Sequence, residues 1–325
     1  MHSRGPSMPR AVILRIKATT AEPHHRAQEY NMTSNYSAAV VGLGSMGLGM
    51  ANSLHRADIR TYGCDVNPDQ TAKFTGNGGL SGELPSIAKE LDCLVLVVVN
   101  AAQTKTVIEA TVSMMTEGSV IISCATVSPD FAREMQSYCQ QHKVHYLDAP
   151  ISGGSVKAAD GRITVLASGT DAAFNKARPA LDAMAEKVFE LGDSAGPGSA
   201  LKVVNQLLAG VHIAAAAEAI TFGISQGIDA QTTVDVISQC AGSSWMFENR
   251  GPHIANGDYT PHSAVDIFVK DLGIVCDIAD DAKFPAPLSS TALAQFAAAA
   301  QAGLGREDDA AVAKVYAKNA NLTLP

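Results

Sequence analysis

The 325-residue chain predicts an α/β unit with a mostly parallel sheet, followed by an all-α C-terminal unit. Three observations predict it. Through residues 37–191, short apolar β-branched runs alternate with helical patterns, the order of a sheet covered by helices. Gly192-Asp193-Ser194-Ala195-Gly196-Pro197-Gly198 then crowds turn-forming residues together, as a boundary does. Beyond it the β-branched runs largely stop, and Ala-rich helical patterns continue to the end. The expected division is residues 37–197 and 198–325. Residues 1–36 carry Arg4, Arg10, Arg15, Lys17 and Arg26 against Glu22 and Glu29 with no helical or strand period. Their apolar run at 11–14 is too short for a secretory signal core. A disordered extension, or translation from a start upstream of Met32, is the expectation there.

Strands are expected at 38–42, 59–64, 93–99, 119–123, 144–147, 163–167 and 187–191. The run Leu94-Val95-Leu96-Val97-Val98-Val99 suits a strand covered on both faces. Ligands of such sheets bind beyond the strand carboxyl ends, where Asn100, Thr126 and Asp148 fall. One long apolar helix is expected over 199–226.

The first βα turn carries the most specific pattern. Val40-Val41 runs into Gly42-Leu43-Gly44-Ser45-Met46-Gly47, a G-x-G-x-x-G loop opening a helix, and Asp65 follows eighteen residues after Gly47. Gly42 allows the tight turn, Gly44 lets the backbone approach a diphosphate, and Gly47 lets helix pack on strand. An anion is favoured at the helix N-terminus. Asp65 ends the second strand, where a carboxylate accepts from the ribose hydroxyls. The run Asp65-Val66-Asn67-Pro68 offers no Arg for a 2′-phosphate. The pattern therefore predicts a Rossmann-type domain that binds NAD rather than NADP.

A net charge of −8 argues against general binding to nucleic acid or anionic membranes, so an anionic substrate would need local cations. No run reaches the roughly 18 consecutive apolar residues of a membrane span. Six cysteines without a C-x-x-C pair suit free thiols in a reducing, cytoplasmic setting, and the scattered histidines predict no metal site.

Three further segments stand out. Asp148-Ala149-Pro150-Ile151-Ser152-Gly153-Gly154-Ser155 offers open backbone N–H groups and a hydroxyl after a strand end, a nest for a carboxylate or a plain turn. Lys202 lies one turn into an apolar helix, on one face with Asn205 and Gln206. It either snorkels to water or, facing a cleft beside a cationic ring, serves as a general base. Lys270-Asp271 sits in a helical pattern where a solvated ion pair is the ordinary reading.

Together these motifs resemble the β-hydroxyacid dehydrogenase (3-hydroxyisobutyrate dehydrogenase-like) family. The resemblance covers residues 38–304 and includes four ordered signatures: 42–47, 148–154, 198–206 and Lys270-Asp271-Leu272. Further runs carry it: Val98-Val99-Asn100-Ala101-Ala102-Gln103, Gln206-Leu207-Leu208-Ala209-Gly210-Val211-His212, Ser244-Trp245-Met246-Phe247-Glu248-Asn249-Arg250, Asp258-Tyr259-Thr260-Pro261 and Gly305-Arg306-Glu307-Asp308-Asp309. It implies a homodimer or homotetramer that oxidises a short hydroxy or sugar acid with NAD. Lys202 would take the hydroxyl proton, and Ser152, Gly153 and Gly154 would hold the substrate carboxylate. Val99, Asn100 and Thr126 would lie by the cofactor, with Lys270 closing over it, and Asn205, Gln206 and Asp271 would serve the substrate. Many members have two consecutive asparagines where this chain has Asn205-Gln206, and a proline-containing loop where it has Asn100-Ala101-Ala102. The pocket is therefore expected to differ from the family norm, with Gln206, Asn100 and His212 as candidates for extra substrate hydroxyls. Reduction of a small aldehyde acid, imine reduction, and an inactive dinucleotide-binding scaffold are the alternatives. Asp65 weighs against the first and Lys202 against the other two.

Overall fold

A computed structural model describes residues 17–20 and 36–325. The extension expected at residues 1–36 otherwise lies outside the described residues. Where it is described it departs from the expectation, because Lys17–Thr20 forms a strand, β1. Ladder bonds are made by the backbone, so an edge strand needs no apolar period of its own.

The main sheet is built from β2 (Ser37–Val41), β3 (Arg60–Cys64), β4 (Cys93–Leu96), β5 (Val120–Ser123) and β6 (His145–Asp148), in the order β3-β2-β4-β5-β6. Every pairing in it is parallel. Helices α1 (Gly47–Arg56), α2 (Pro68–Gly76), α3 (Leu84–Ile87), α4 (Ala101–Thr111) and α5 (Pro129–Gln141) form the connections. The central strands are buried along their whole length, which accounts for the unbroken apolar run through β4.

The strands expected at 163–167 and 187–191 do not extend this sheet. They are β8 (Ile163–Ala167) and β9 (Ala185–Glu190), in a second sheet of order β1-β9-β8-β7, where β7 is Ile151–Ser152. β7 and β8 are antiparallel, β8 and β9 parallel. The chain leaves β6 through Ala149-Pro150, where proline has no N–H to continue the ladder. A bridge between Asp148 and Ser168 joins the two sheets. Helix α6 (Gly154–Ala159) separates β7 from β8, and α7 (Asp171–Met184) separates β8 from β9.

Helix α8 (Pro197–Ser225) begins the helical region and is followed by α9 (Ala230–Ile237), α10 (Trp245–Asn256), α11 (Val265–Asp281), α12 (Pro287–Ala299) and α13 (Ala313–Asn319). By length and mean hydropathy (1.7 over its most apolar stretch) α8 is long and apolar enough to cross a membrane, although polar residues interrupt its apolar run. Here half of that stretch is buried within the protein. Ile213, Ala217 and Ile220 of α8 join Phe268 and Leu272 of α11 and Phe296 of α12 in one apolar core. The rings of Phe268 and Phe296 stack at 5.3 Å.

Side chains cap the starts of the supporting helices. Asn100, Ser128, Thr170, Asp229 and Ser244 each accept from the backbone N–H three residues on, opening α4, α5, α7, α9 and α10. No side chain on the preceding residue caps α1, α6 or α8. The same holds for α3, α11, α12 and α13.

Helix α1 docks on α6 through Gly49. A Cβ there would lie 2.6 Å from the Ala159 nitrogen and 2.8 Å from the Ala158 carbonyl carbon. Gly49→Ala must push the helices apart, and overpacking of this kind costs about 1–3 kcal/mol. We expect a lower urea midpoint at an unchanged denaturant slope; an unchanged midpoint would show that the helices separate freely.

Candidate active site

The glycine loop fits its anticipated ligand. Gly42 has φ +91°, and a Cβ on it would lie 2.4 Å from the Val97 carbonyl oxygen. A Cβ on Gly47 would lie 1.8 Å from the Gly42 oxygen, so neither position tolerates a side chain. Above Gly44 a Cβ would meet nothing within 4 Å. The α1 N-terminus beside this open space has no side-chain cap and no acid in its first turn, the surroundings a diphosphate needs. Leu43 is buried, so its contribution is its backbone N–H, which donates to Asp65 Oδ2 at 2.6 Å. Asp65 Oδ1 accepts from Asn67 N at 2.7 Å. Each carboxylate oxygen keeps a lone pair for a ribose hydroxyl. Ser45 is exposed and Met46 half-buried on the same turn.

Val99 and Asn100 stand at the carboxyl end of β4, and Thr126 follows β5. Asn100 Oδ1 accepts from Gln103 N at 2.9 Å, and Gln103 Oε1 accepts from Val99 N at 2.9 Å, so the loop is tied to the start of α4. Asn100 does not line the cavity of about 490 Å³ around Lys202, so its candidacy for substrate hydroxyls finds no support there.

Asp148 belongs to the framework. Its side chain accepts from Ser199 Oγ at 2.6 Å, from the Ser199 and Gly196 backbone N–H groups at 2.9 Å, and from Ser168 Oγ at 3.2 Å. The strand end thus supplies the cap that α8 lacks locally. Gly198 makes the close approach possible, since a Cβ there would lie 2.5 Å from the Leu166 oxygen.

One turn further along α8, Lys202 enters a cavity of about 490 Å³. On one side lie Ser152, Gly153 and Gly154, with φ +135° and +76° at the two glycines, conformations that favour glycine. Lys157 lies over this turn, within 3.0–3.6 Å of where a Gly153 Cβ would sit, and also lines the cavity. Lys202, Asn205 and Gln206 line it from α8 as the helical spacing anticipates, and His212 continues the same face. Lys202 is 8% exposed, and burial pulls its ammonium down to about 8. Asp271 opposes that shift and the charge of Lys270 reinforces it.

Two sequence-derived roles change. Asp271 is not in the cavity wall; it is 2% exposed and accepts from Gln206 Nε2 at 2.5 Å and from Lys270 Nζ. Gln206 Oε1 in turn accepts from Asn205 Nδ2 at 2.9 Å. Asp271 therefore orients the groups around Lys202 from behind, and Lys270-Asp271 is a partly buried pair, not a solvated one. The cavity also includes groups with no site role in the sequence reading: Lys157, Ser244, Trp245, Arg250 and Ser263. Ser244, Trp245 and Arg250 belong to a run that carried the family resemblance, which was the one available signal for them.

A glycine-loop sheet facing a helical region across a cleft, with a buried lysine of lowered basicity in it, defines a pyridine-nucleotide-dependent dehydrogenase. The sequence profiles agree. That of the NAD binding domain of 6-phosphogluconate dehydrogenase matches residues 37–192, and that of the NAD-binding domain of NADP-dependent 3-hydroxyisobutyrate dehydrogenase matches residues 196–316. L-threonate dehydrogenase of Pectobacterium atrosepticum is 46% identical over 298 residues, covering 90% of this chain and 97% of the relative. That of Escherichia coli is 47% identical over 297 residues, with the same coverage. A crystal structure described as 3-hydroxyisobutyrate dehydrogenase from Salmonella typhimurium superposes with a TM-score of 0.82 at 48% identity, covering 86% of this chain and 99% of that one. The chain belongs to the 3-hydroxyisobutyrate dehydrogenase-like family of β-hydroxyacid dehydrogenases. It is an oxidoreductase with NAD as its cofactor.

Lys202 connects stability to pH with a defined sign. Its folded value of about 8 lies below the ordinary 10.5, so the unfolded chain binds more protons between those values. The penalty is full below pH 8 and fades as pH rises to 10.5. Lys202→Met should raise stability at pH 7 by up to about 3 kcal/mol, with no gain above pH ~10.5. The same variant should lose at least about 10²-fold in turnover. Wild-type kcat/KM should climb through pH ~8 as the ammonium deprotonates; a flat profile from pH 7 to 9 would remove Lys202 from proton transfer. Paired thermal melts and initial rates check both.

Proposed function

We propose that the enzyme oxidises the C2 alcohol of L-threonate with NAD, giving 2-dehydro-L-erythronate, with Lys202 as the base. The carrying observation is the placement of Lys202, buried with a value near 8, in a cavity whose walls also hold Ser152, Gly153, Gly154 and Lys157. The backbone N–H groups of that turn, the Ser152 hydroxyl and the Lys157 ammonium hold the substrate carboxylate. The Lys157 ammonium meets the need for local positive charge in a chain of net charge −8. The C2 hydroxyl then donates to neutral Lys202, which takes the proton as the C2–H bond breaks. Bound NAD supplies the acceptor for the departing hydride. Lys202 passes its proton to solvent before the next turnover. Asn205, Gln206 and Asp271 keep the base in position, and water is limited by the buried α8 face. General base assistance is worth roughly 10²–10⁴-fold, and alignment adds to it.

The dinucleotide is held by residues 42–47 and by Asp65, with Val99, Asn100 and Thr126 along its nicotinamide half and Lys270 closing over it. Asp65 followed by exposed Val66, with no arginine, supports NAD over NADP. Residues 37–197 form the dinucleotide domain and 198–325 the substrate and oligomerisation domain.

The name of the Salmonella structure favours 3-hydroxyisobutyrate as a second reading. Its methyl branch would offer no hydrogen bond to the polar groups of the wall, His212, Ser244, Arg250 and Ser263, whereas the C3 and C4 hydroxyls of threonate can meet the capacity their protein partners leave unused. Initial rates of NAD and NADP reduction with L-threonate, D-threonate, D-erythronate, 3-hydroxyisobutyrate and glycerate decide between them. L-threonate with NAD should give the highest kcat/KM, by about tenfold or more. A preference for 3-hydroxyisobutyrate, glycerate or NADP would keep the lysine chemistry and overturn the substrate or cofactor assignment. No turnover of any of these acids would place the substrate outside this set and overturn the L-threonate reading.

A further inference from the structure

The run Gly305-Arg306-Glu307-Asp308-Asp309 has no part in the chemistry above, yet it holds two fully buried carboxylates. Asp309 accepts from Arg250 Nε at 2.5 Å through Oδ1 and from Arg250 Nη2 at 3.1 Å through Oδ2. Arg250 Nη1 donates to Asn249 Oδ1. Asp308 shapes the support, accepting from His262 N at 2.8 Å and Ala310 N at 3.1 Å. The Asp309 N–H donates to the Ser263 carbonyl at 2.8 Å, tying this brace to another residue of the cavity wall.

A bidentate, buried pair of this kind adds little net stability over an apolar replacement, so stability alone is a weak reason for it. It does fix the guanidinium in one orientation, and Arg250 lines the cavity while only 7% exposed. A guanidinium has five N–H donors. Three are engaged by Asp309 and Asn249, leaving one N–H on Nη1 and one on Nη2. Ser244, which caps the same helix, and Ser263 line the same cavity. Helix α8, which carries Lys202, packs against β6 and β8 and also against α10. Arg250 therefore stands on a different element from the Ser152–Gly153–Gly154 turn and Lys157, with the base on the helix that packs against both.

We propose that Arg250, aimed by Asp309, is a specificity-determining residue that donates to the hydroxyl-bearing tail of the substrate. Asp309 is its positioning residue. This rests on the L-threonate reading above and adds which group recognises the C3–C4 end. It also explains why a chain that acts on a polyhydroxy acid buries two carboxylates so far along the sequence from α10.

The test compares kcat/KM for L-threonate and glycerate, which share the carboxylate and C2 alcohol but differ in tail length, in the wild type, R250K and R250Q. R250K keeps a charge opposite Asp308 and Asp309, and NADH binding with a thermal melt reports whether each variant is folded. A hydrogen bond to a charged donor accounts for roughly 10- to 100-fold. The threonate-to-glycerate ratio should fall at least about tenfold in both variants, mainly through the KM for threonate. Equal losses on both substrates would assign Arg250 to the carboxylate or to structure and overturn the proposal. Wild-type enzyme with 4-deoxy-L-threonate gives a reading independent of any variant: discrimination below about threefold overturns it as well. Failure of the wild type to oxidise L-threonate at all would overturn the substrate reading, a distinct result.

Discussion

The buried carboxylate of Asp148 is the interaction on which the rest of the site depends. It ends β6, bridges the two sheets through Ser168, and accepts from the first free N–H groups of a 29-residue helix. Burial pushes this carboxyl up, while its Ser199, Gly196 and Ser168 donors pull it down. A helix N-terminus is the location where such a charge is best tolerated. Because Lys202 lies one turn beyond Ser199, this contact sets the height of the base above the sheet. The close approach requires Gly198, so a framework acid and a glycine together place a buried lysine they do not touch.

Charge within the cleft is arranged in two tiers. Groups in the wall are cationic or neutral: Lys157, Lys202, Arg250 and the hydroxyls. The carboxylates stand behind them, Asp271 behind Gln206 and Asp309 behind Arg250. An acid in the wall would repel an anionic substrate; one layer back, it orients the wall groups without facing the ligand. The depressed basicity of Lys202 is the counterpart of this arrangement. Its desolvation opposes folding near neutral pH, and Asp271 offsets only part of it. The active site is thus held against its own electrostatic cost by the apolar cores on either side.

Legibility in the sequence followed the range of the interactions. Gly42, Gly44, Gly47 and Asp65 act within one βαβ unit, and their steric roles follow from local backbone geometry. The common face of Lys202, Asn205 and Gln206 follows from helical periodicity, and the same period extended to His212 would have included it. Asp148 was read correctly as a strand-end residue, but its partners Gly196 and Ser199 come from a segment about fifty residues away. Arg250 and Asp309 meet across 59 residues, and no period or spacing announces such a pair. The second sheet was missed for a related reason: β8 and β9 have ordinary strand composition, and only the turn at Ala149-Pro150 diverts them from the main sheet.

By itself, then, the sequence determined the α/β-then-α order, the dinucleotide loop with its acid, and the shared helix face of Lys202, Asn205 and Gln206, because each is encoded in residues close together along the chain. Tertiary structure decided which side chains form the cavity wall and which stand behind it. Asp271 and Asp309 illustrate this: both lie in runs that carry the family resemblance, but nothing local in either run tells a support from a ligand. What makes them supports and not ligands is the burial and the hydrogen-bond partners supplied by α8 and α10. Burial and partnership are properties of packing between distant segments, so they exist only once the chain has folded.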